Sequence, residues 1–220
     1  MKIPWSKFKE NIQKDEKKIG NLINKIKPDD YKTWYNLGVS QSKERNYEAA
    51  VKSYDRALEI KPDYFEAWSN RGNSLSKLGQ LRNSVKSYEK ALKIKPDDYL
   101  SWAGRGKALY KFGKVQKAIE SYGKAIEIKP DYFEVWYNLG NALNEIKRYK
   151  EAIESYSKAL ETKSDKNEIL MSRAWSFHKI GKYKESKDDY EKVLEIKPDH
   201  QVAKDNLEIV KRKLEKTSSR

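Results

Sequence analysis

The chain has 220 residues, 36% of them charged, with 47 Lys+Arg against 33 Asp+Glu and a formal net charge of +14. Leu, Ile, Val and Phe make up only about a fifth of it, near the level at which charged chains stay disordered, but the charges are mixed in sign and 15 Tyr and 6 Trp add large apolar areas. With no Cys, disulfide frameworks, thiol nucleophiles and cysteine-held metals are excluded; with no apolar run near the roughly 18 residues of a membrane span and no signal-peptide pattern, a soluble cytoplasmic protein is expected.

In chain order, residues 1–30 come first. Trp5, Ile12, Ile19 and Ile26 recur at sevens, with Phe8 and Leu22 between them, which predicts an amphipathic capping helix. A helix-mediated dimer seam and a basic surface anchor are the alternatives. From residue 31 the chain repeats itself. Trp34, Trp68, Trp102 and Trp136 are 34 residues apart, and so are Tyr54, Tyr88, Tyr122, Tyr156 and Tyr190. Ala57, Ala91, Ala125, Ala159 and Val193 keep the same phase, as do Pro62, Pro96, Pro130, Ser164 and Pro198. Five units follow: 31–64, 65–98, 99–132, 133–166 and 167–200.

Each unit reads as two helices. In the third, Trp102, Leu109 and Phe112 mark a first helix ending at Gly113. Val115, Ala118, Ile119, Tyr122, Ile126 and Ile128 mark a second, ending at Lys129-Pro130-Asp131, where Asp131 is expected to accept backbone N–H groups of the next helix. Gly38, Gly72, Gly106, Gly140 and Ala174 on the first helices, with Ala50, Ser84, Ala118, Ala152 and Ser186 on the second, predict close approach within each hairpin. Residues 201–220 read as a C-terminal capping helix through about 216, with Val202, Leu207, Val210 and Leu214 as its apolar stripe, and a short tail.

Trp34-x2-Leu37-Gly38 and Trp136-x2-Leu139-Gly140, with the Ala, Tyr, Ala and Pro columns, closely resemble the tetratricopeptide repeat (TPR) over residues 31–200. Arg71, Arg105 and Arg173 depart from the leucine of that pattern, and Leu170 from its tryptophan, so the fifth unit is expected to be the most irregular. The resemblance implies an all-α fold, a right-handed superhelical α-solenoid of antiparallel hairpins whose first helices line a concave groove. Binding of peptides or proteins is the activity it implies.

No catalytic constellation is present. His178 and His200 have no carboxylates at metal-ligand spacing and no nucleophile beside them, and no cofactor, metal or small-molecule substrate is expected. Gly104-Arg105-Gly106 sits inside a helix pattern rather than after a strand, which argues against a phosphate loop.

Under the resemblance, the groove face of each first helix takes the second, fifth, ninth, twelfth and thirteenth residues of its unit. Asn73, Asn141 and Asn144 then offer both amide donors and acceptors to a peptide backbone; Tyr35, Tyr110, Tyr137, Trp175 and His178 offer contact faces; Lys107 and Lys111 meet acidic groups. The paired Lys–Asn and Lys–Arg pattern of chaperone-tail binders is missing: Tyr35 with Val39, and Ser69 with Asn73, open the windows where it would start.

The second and third units carry +3 and +4 of the net charge, while the lining as a whole is nearly balanced. A non-enzymatic scaffold that binds a protein or peptide segment of acidic character is therefore expected, as a monomer or a weak homo-oligomer through its ends. The alternatives are a structural self-assembly protein using those ends and, less favoured, nucleic-acid binding through the basic second and third units.

Overall fold

The structure, a computed structural model, describes residues 30–162 and 167–218, and all regular elements among them are α-helices. Five hairpins follow one another: α1 (Tyr31–Lys43) with α2 (Tyr47–Ile60), α3 (Phe65–Lys77) with α4 (Leu81–Ile94), α5 (Tyr99–Lys111) with α6 (Val115–Ile128), α7 (Phe133–Glu145) with α8 (Tyr149–Thr162), and α9 (Asn167–Lys179) with α10 (Tyr183–Ile196). A further helix, α11 (Gln201–Ser218), packs on α10. The expected N-terminal capping helix lies outside the described residues, except for Asp30, whose carboxylate accepts the Lys32 N–H at 3.0 Å.

One turn recurs in every hairpin because one residue takes the left-handed conformation. Gly79, Gly113 and Gly181 have φ of 75°, 74° and 77°, and Arg45 and Lys147 occupy the same position at 63° and 62°. The chain then folds back so that an N–H meets a carbonyl five residues earlier, as in Lys114 N–H to Leu109 C=O at 2.9 Å and Arg148 N–H to Leu143 C=O at 2.9 Å.

Inside each hairpin the small-residue column accommodates the tyrosine column. A Cβ added to Gly38 or Gly106 would come within 2.6 Å of the Tyr54 or Tyr122 ring, so a side chain there would displace the ring. Those rings are buried, at 1% exposure each. Ser84 and Ser186 tie the helices together by donating to the Gly72 and Ala174 carbonyls at 2.7 and 2.8 Å.

The Trp and Pro columns form one contact. The indole N–H groups of Trp68, Trp102 and Trp136 donate to the carbonyls of Pro62, Pro96 and Pro130 at 2.8, 2.8 and 2.7 Å. The fifth unit has Leu170 for the tryptophan, so the indole donor is lost, and Leu170 is buried instead; Ser164, which stands for the proline at the end of the fourth unit, lies outside the described residues. That unit's helices nevertheless keep the common lengths of 13 and 14 residues, so its expected irregularity is local.

The arginine departures are bridges between units. Arg71 reaches back to Asp55 at 2.6 Å and donates to Ser87 at 2.7 Å; Arg105 does the same with Glu89 at 3.0 Å and Ser121 at 2.7 Å. Arg173 donates to Ser157 at 2.9 Å and makes a forked pair with Asp189 at 2.8 Å. In the fourth unit the position is Leu139, and the residue that would have faced an arginine there is Gly123.

Two expectations need correction. Asp131 does not cap α7: the cap residue is Tyr132, which makes no side-chain cap bond, and Asp131 pairs with Lys129 at 3.4 Å. Where the last residue of a unit is aspartate it does cap, as Asp98 does for the Ser101 N–H at 2.9 Å. In α11, Val202 is 56% exposed, and Ala203, Leu207 and Val210 form the buried stripe, because the helix meets α10 one residue later than the larger side chain suggests. His200 joins that cap by accepting the Ala203 N–H at its Nδ1, 3.3 Å away.

Candidate peptide-binding groove

The first helices α1, α3, α5, α7 and α9 pack in succession, so their second, fifth, ninth, twelfth and thirteenth positions share one surface. Two cavities open along it. The first, of about 430 Å3, is bordered by Asn73, Lys107 and Tyr137 together with Ser69, Ala103 and Gly104. It exists because Ser69 and Ala103 stand where α1 and α7 carry Tyr35 and Tyr137, and Gly104 where the neighbours carry Asn70 and Asn138. Gly104 also admits the tip of Tyr88, which a Cβ would strike; its helical setting disposes of the phosphate-loop resemblance.

The second cavity, of about 560 Å3, gathers Tyr110, Asn141, Asn144 and Trp175 with Met171 and Val202. Tyr35, Lys111 and His178 border neither. Tyr35 packs against Tyr54 and Tyr64 with ring centroids 5.9 and 5.0 Å away, and its hydroxyl accepts from Asn70 at 2.9 Å. His178 meets Tyr183 edge-on at 5.5 Å.

The asparagines divide into free and engaged. Asn73 is exposed. Asn144 donates to the Tyr156 hydroxyl at 2.9 Å and accepts from Ser176 at 2.9 Å, while Tyr156 donates to Asn141 at 2.8 Å. Asn144 thus has an internal task that the sequence did not signal, and Asn141 keeps its N–H groups for a ligand. The hydroxyl ends of the tyrosine column, buried in rank, reach this surface through Tyr88, Tyr156 and Tyr190.

The wall charges are uneven. The Lys107 amine is pushed below the usual lysine range by burial and by the charges of Lys77 and Lys111. Across the next helix, burial and the Glu145 carboxylate push the Tyr110 phenol up to about 12. Trp175 is clasped between Lys179, 4.8 Å over its ring, and Tyr149, 5.6 Å from its centroid. Burial and the charges of Lys179 and Lys213 hold His178 below its ordinary value.

Much of the basic charge of the second unit gathers elsewhere. Lys86, Lys90 and Lys93 surround a cavity of about 490 Å3 with Trp68 and Arg71, and no residue of the groove stripe borders it. Among the described residues no three His, Asp or Glu side chains cluster to hold a metal ion, and no helix is long and apolar enough to cross a membrane.

The repeat profile closes the identification: the tetratricopeptide repeat matches residues 31–64, 65–98 and 133–166, a second profile of that repeat matches 168–200, and a TPR repeat profile matches 106–146. The chain belongs to the tetratricopeptide repeat family. This TPR protein is therefore an interaction scaffold in the general sense of its repeat class, whose modules are typically non-catalytic. No curated protein matches it significantly.

Solved structures share the TPR fold at low identity. A MamA crystal structure is 20% identical, with a TM-score of 0.70, and the match covers 75% of this chain and 90% of that one. MamA from Desulfovibrio magneticus RS-1 gives 18%, 0.72, 77% and 96%. YrrB, described as a TPR protein with an unusual peptide-binding site, gives 19%, 0.71, 84% and 95%.

Proposed function

We propose that this TPR protein captures a protein segment of acidic character along the surface of its first helices, with Asn73, Lys107, Tyr110, Lys111, Tyr137 and Asn141 as the principal contacts. One observation carries the reading. Two cavities, of about 430 and 560 Å3, open on the stripe where the first helices meet, and lysine, amide and phenol groups form their walls. Exposed Asn73 and the N–H groups of Asn141 are available to backbone carbonyls. The charges of Lys77 and Lys111 add to burial in disfavouring the charged Lys107 amine, a cost that an acidic side chain relieves.

A peptide-display selection on the folded chain, followed by binding measurements on the Lys107→Glu, Lys111→Glu double variant, tests this. The variant should keep its helicity and bind the selected peptides at least about tenfold more weakly, the loss shrinking at high salt. Unchanged binding would sink the groove reading. It would favour the second reading, self-association through the ends, for which the exposed Val202 and Ile209 of α11, at 56% and 47%, are the motive.

A further inference from the structure

Glu134 presents an electrostatic problem. Its Oε2 is buried and has no hydrogen-bond partner, although the residue borders the first groove cavity. A carboxylate oxygen taken from water without a compensating donor is costly, so its persistence calls for a reason. Its place in the first turn of α7 favours an acid there through the helix dipole. That accounts for the residue type and not for the burial, since Glu66 and Glu168 hold the same position in α3 and α9 without such an orphaned oxygen.

The cavity supplies what a planar cation needs. Tyr132 and Tyr137, whose rings can stack on a cation, and Asn70 and Asn138, whose amides can accept from one, line the same cavity as Glu134. Glu134 lies near enough to Tyr132 to push its phenol up, behind burial as the main cause. The one cation among the residues that line the cavity is Lys107, and what acts on it is burial, then the charges of Lys77 and Lys111. A lysine so placed does not neutralise Glu134. It makes the neighbouring surface suited to an acid.

We propose that the cavity bordered by α3, α5 and α7 is an arginine pocket, in which a guanidinium of the bound segment pairs with the Glu134 carboxylate and stacks on Tyr132 or Tyr137. The segment then carries an arginine next to acidic residues, which meet Lys77, Lys107 and Lys111. This deepens the groove reading and rests on it.

The probe is N-acetyl-arginine amide, titrated into the full chain and followed by NMR through the side-chain amides of Asn70 and Asn138 and the backbone of Gly104. Saturable shifts should appear there in the native chain and in Glu66→Gln, weaken at least about tenfold in Glu134→Gln, and be absent with N-acetyl-glutamate amide. A merely structural Glu134 would lower the melting temperature of Glu134→Gln while leaving the arginine response intact, and that result overturns the proposal. So does the absence of saturable shifts in the native chain. Groove capture is judged separately: peptides that bind Glu134→Gln unchanged but lose affinity in the Lys107→Glu, Lys111→Glu variant would leave the groove standing without its arginine pocket.

Discussion

Arg173 and Arg105 occupy the same position of the repeat but face acids in different surroundings. The Asp189 side chain paired with Arg173 is 3% exposed, whereas the Glu89 side chain paired with Arg105 is 50% exposed. A carboxylate in water survives the loss of its partner, and a buried one does not. Arg173→Met should therefore cost about 3 kcal/mol in chemical denaturation, and Arg105→Met under about 1 kcal/mol. Adding Asp189→Leu to Arg173→Met should recover most of the loss; equal losses for the two single variants would contradict the bridging account. These arginines were visible in the sequence only as departures from the leucine column. Their partners lie 16 residues away on either side, in columns that hold an acid or a serine where arginine is present. That correlation between columns was open to inspection, but a reading of one column at a time passes over it.

At the scale of the helix pair, apolar spacing and punctuation were enough to place both helices of every unit, because Trp, Gly, Tyr and Pro each have one backbone or packing task here. The capping residue was misplaced by one position, at Asp131 instead of the following residue, since Pro and Asp both suit the turn and the true cap position varies among tyrosine, aspartate and histidine. The turn itself yields a test. Lys147 holds φ of 62° where three other units use glycine. Lys147→Gly should stabilise the chain by about 0.5–1 kcal/mol, because the left-handed conformation is strained for a residue with a Cβ. A lower melting temperature for that variant would show that the lysine side chain contributes more than the backbone strain removes. The groove was legible to the level of the helix face and no further: Asn144 lies on the expected stripe, yet its amide is occupied by Tyr156 and Ser176. Glu134, on the same stripe, becomes distinctive only once its burial is known.

Across the whole molecule the tyrosine column couples the units to pH. Burial raises the phenols of Tyr54, Tyr88, Tyr122 and Tyr156, and that of Tyr190 to about 12. The native state then keeps protons that the unfolded chain releases above a pH of about 10, so the stability they contribute is complete below that value and is lost as pH climbs toward the folded values. Phenolate absorbance from the column should rise together with the loss of helical circular dichroism. Phenolate formation in a chain that remains helical would contradict the burial of the column.

A protein segment that lies along the first helices must pass beside Asn73. The chain contains no Cys, so a single cysteine carrying a photo-crosslinker can be set at Asn73, on the groove, or at Asn83, which borders the basic cavity away from it. A peptide selected on the folded chain should crosslink at Asn73→Cys and not at Asn83→Cys. Crosslinking at Asn83→Cys with none at Asn73→Cys would contradict the account.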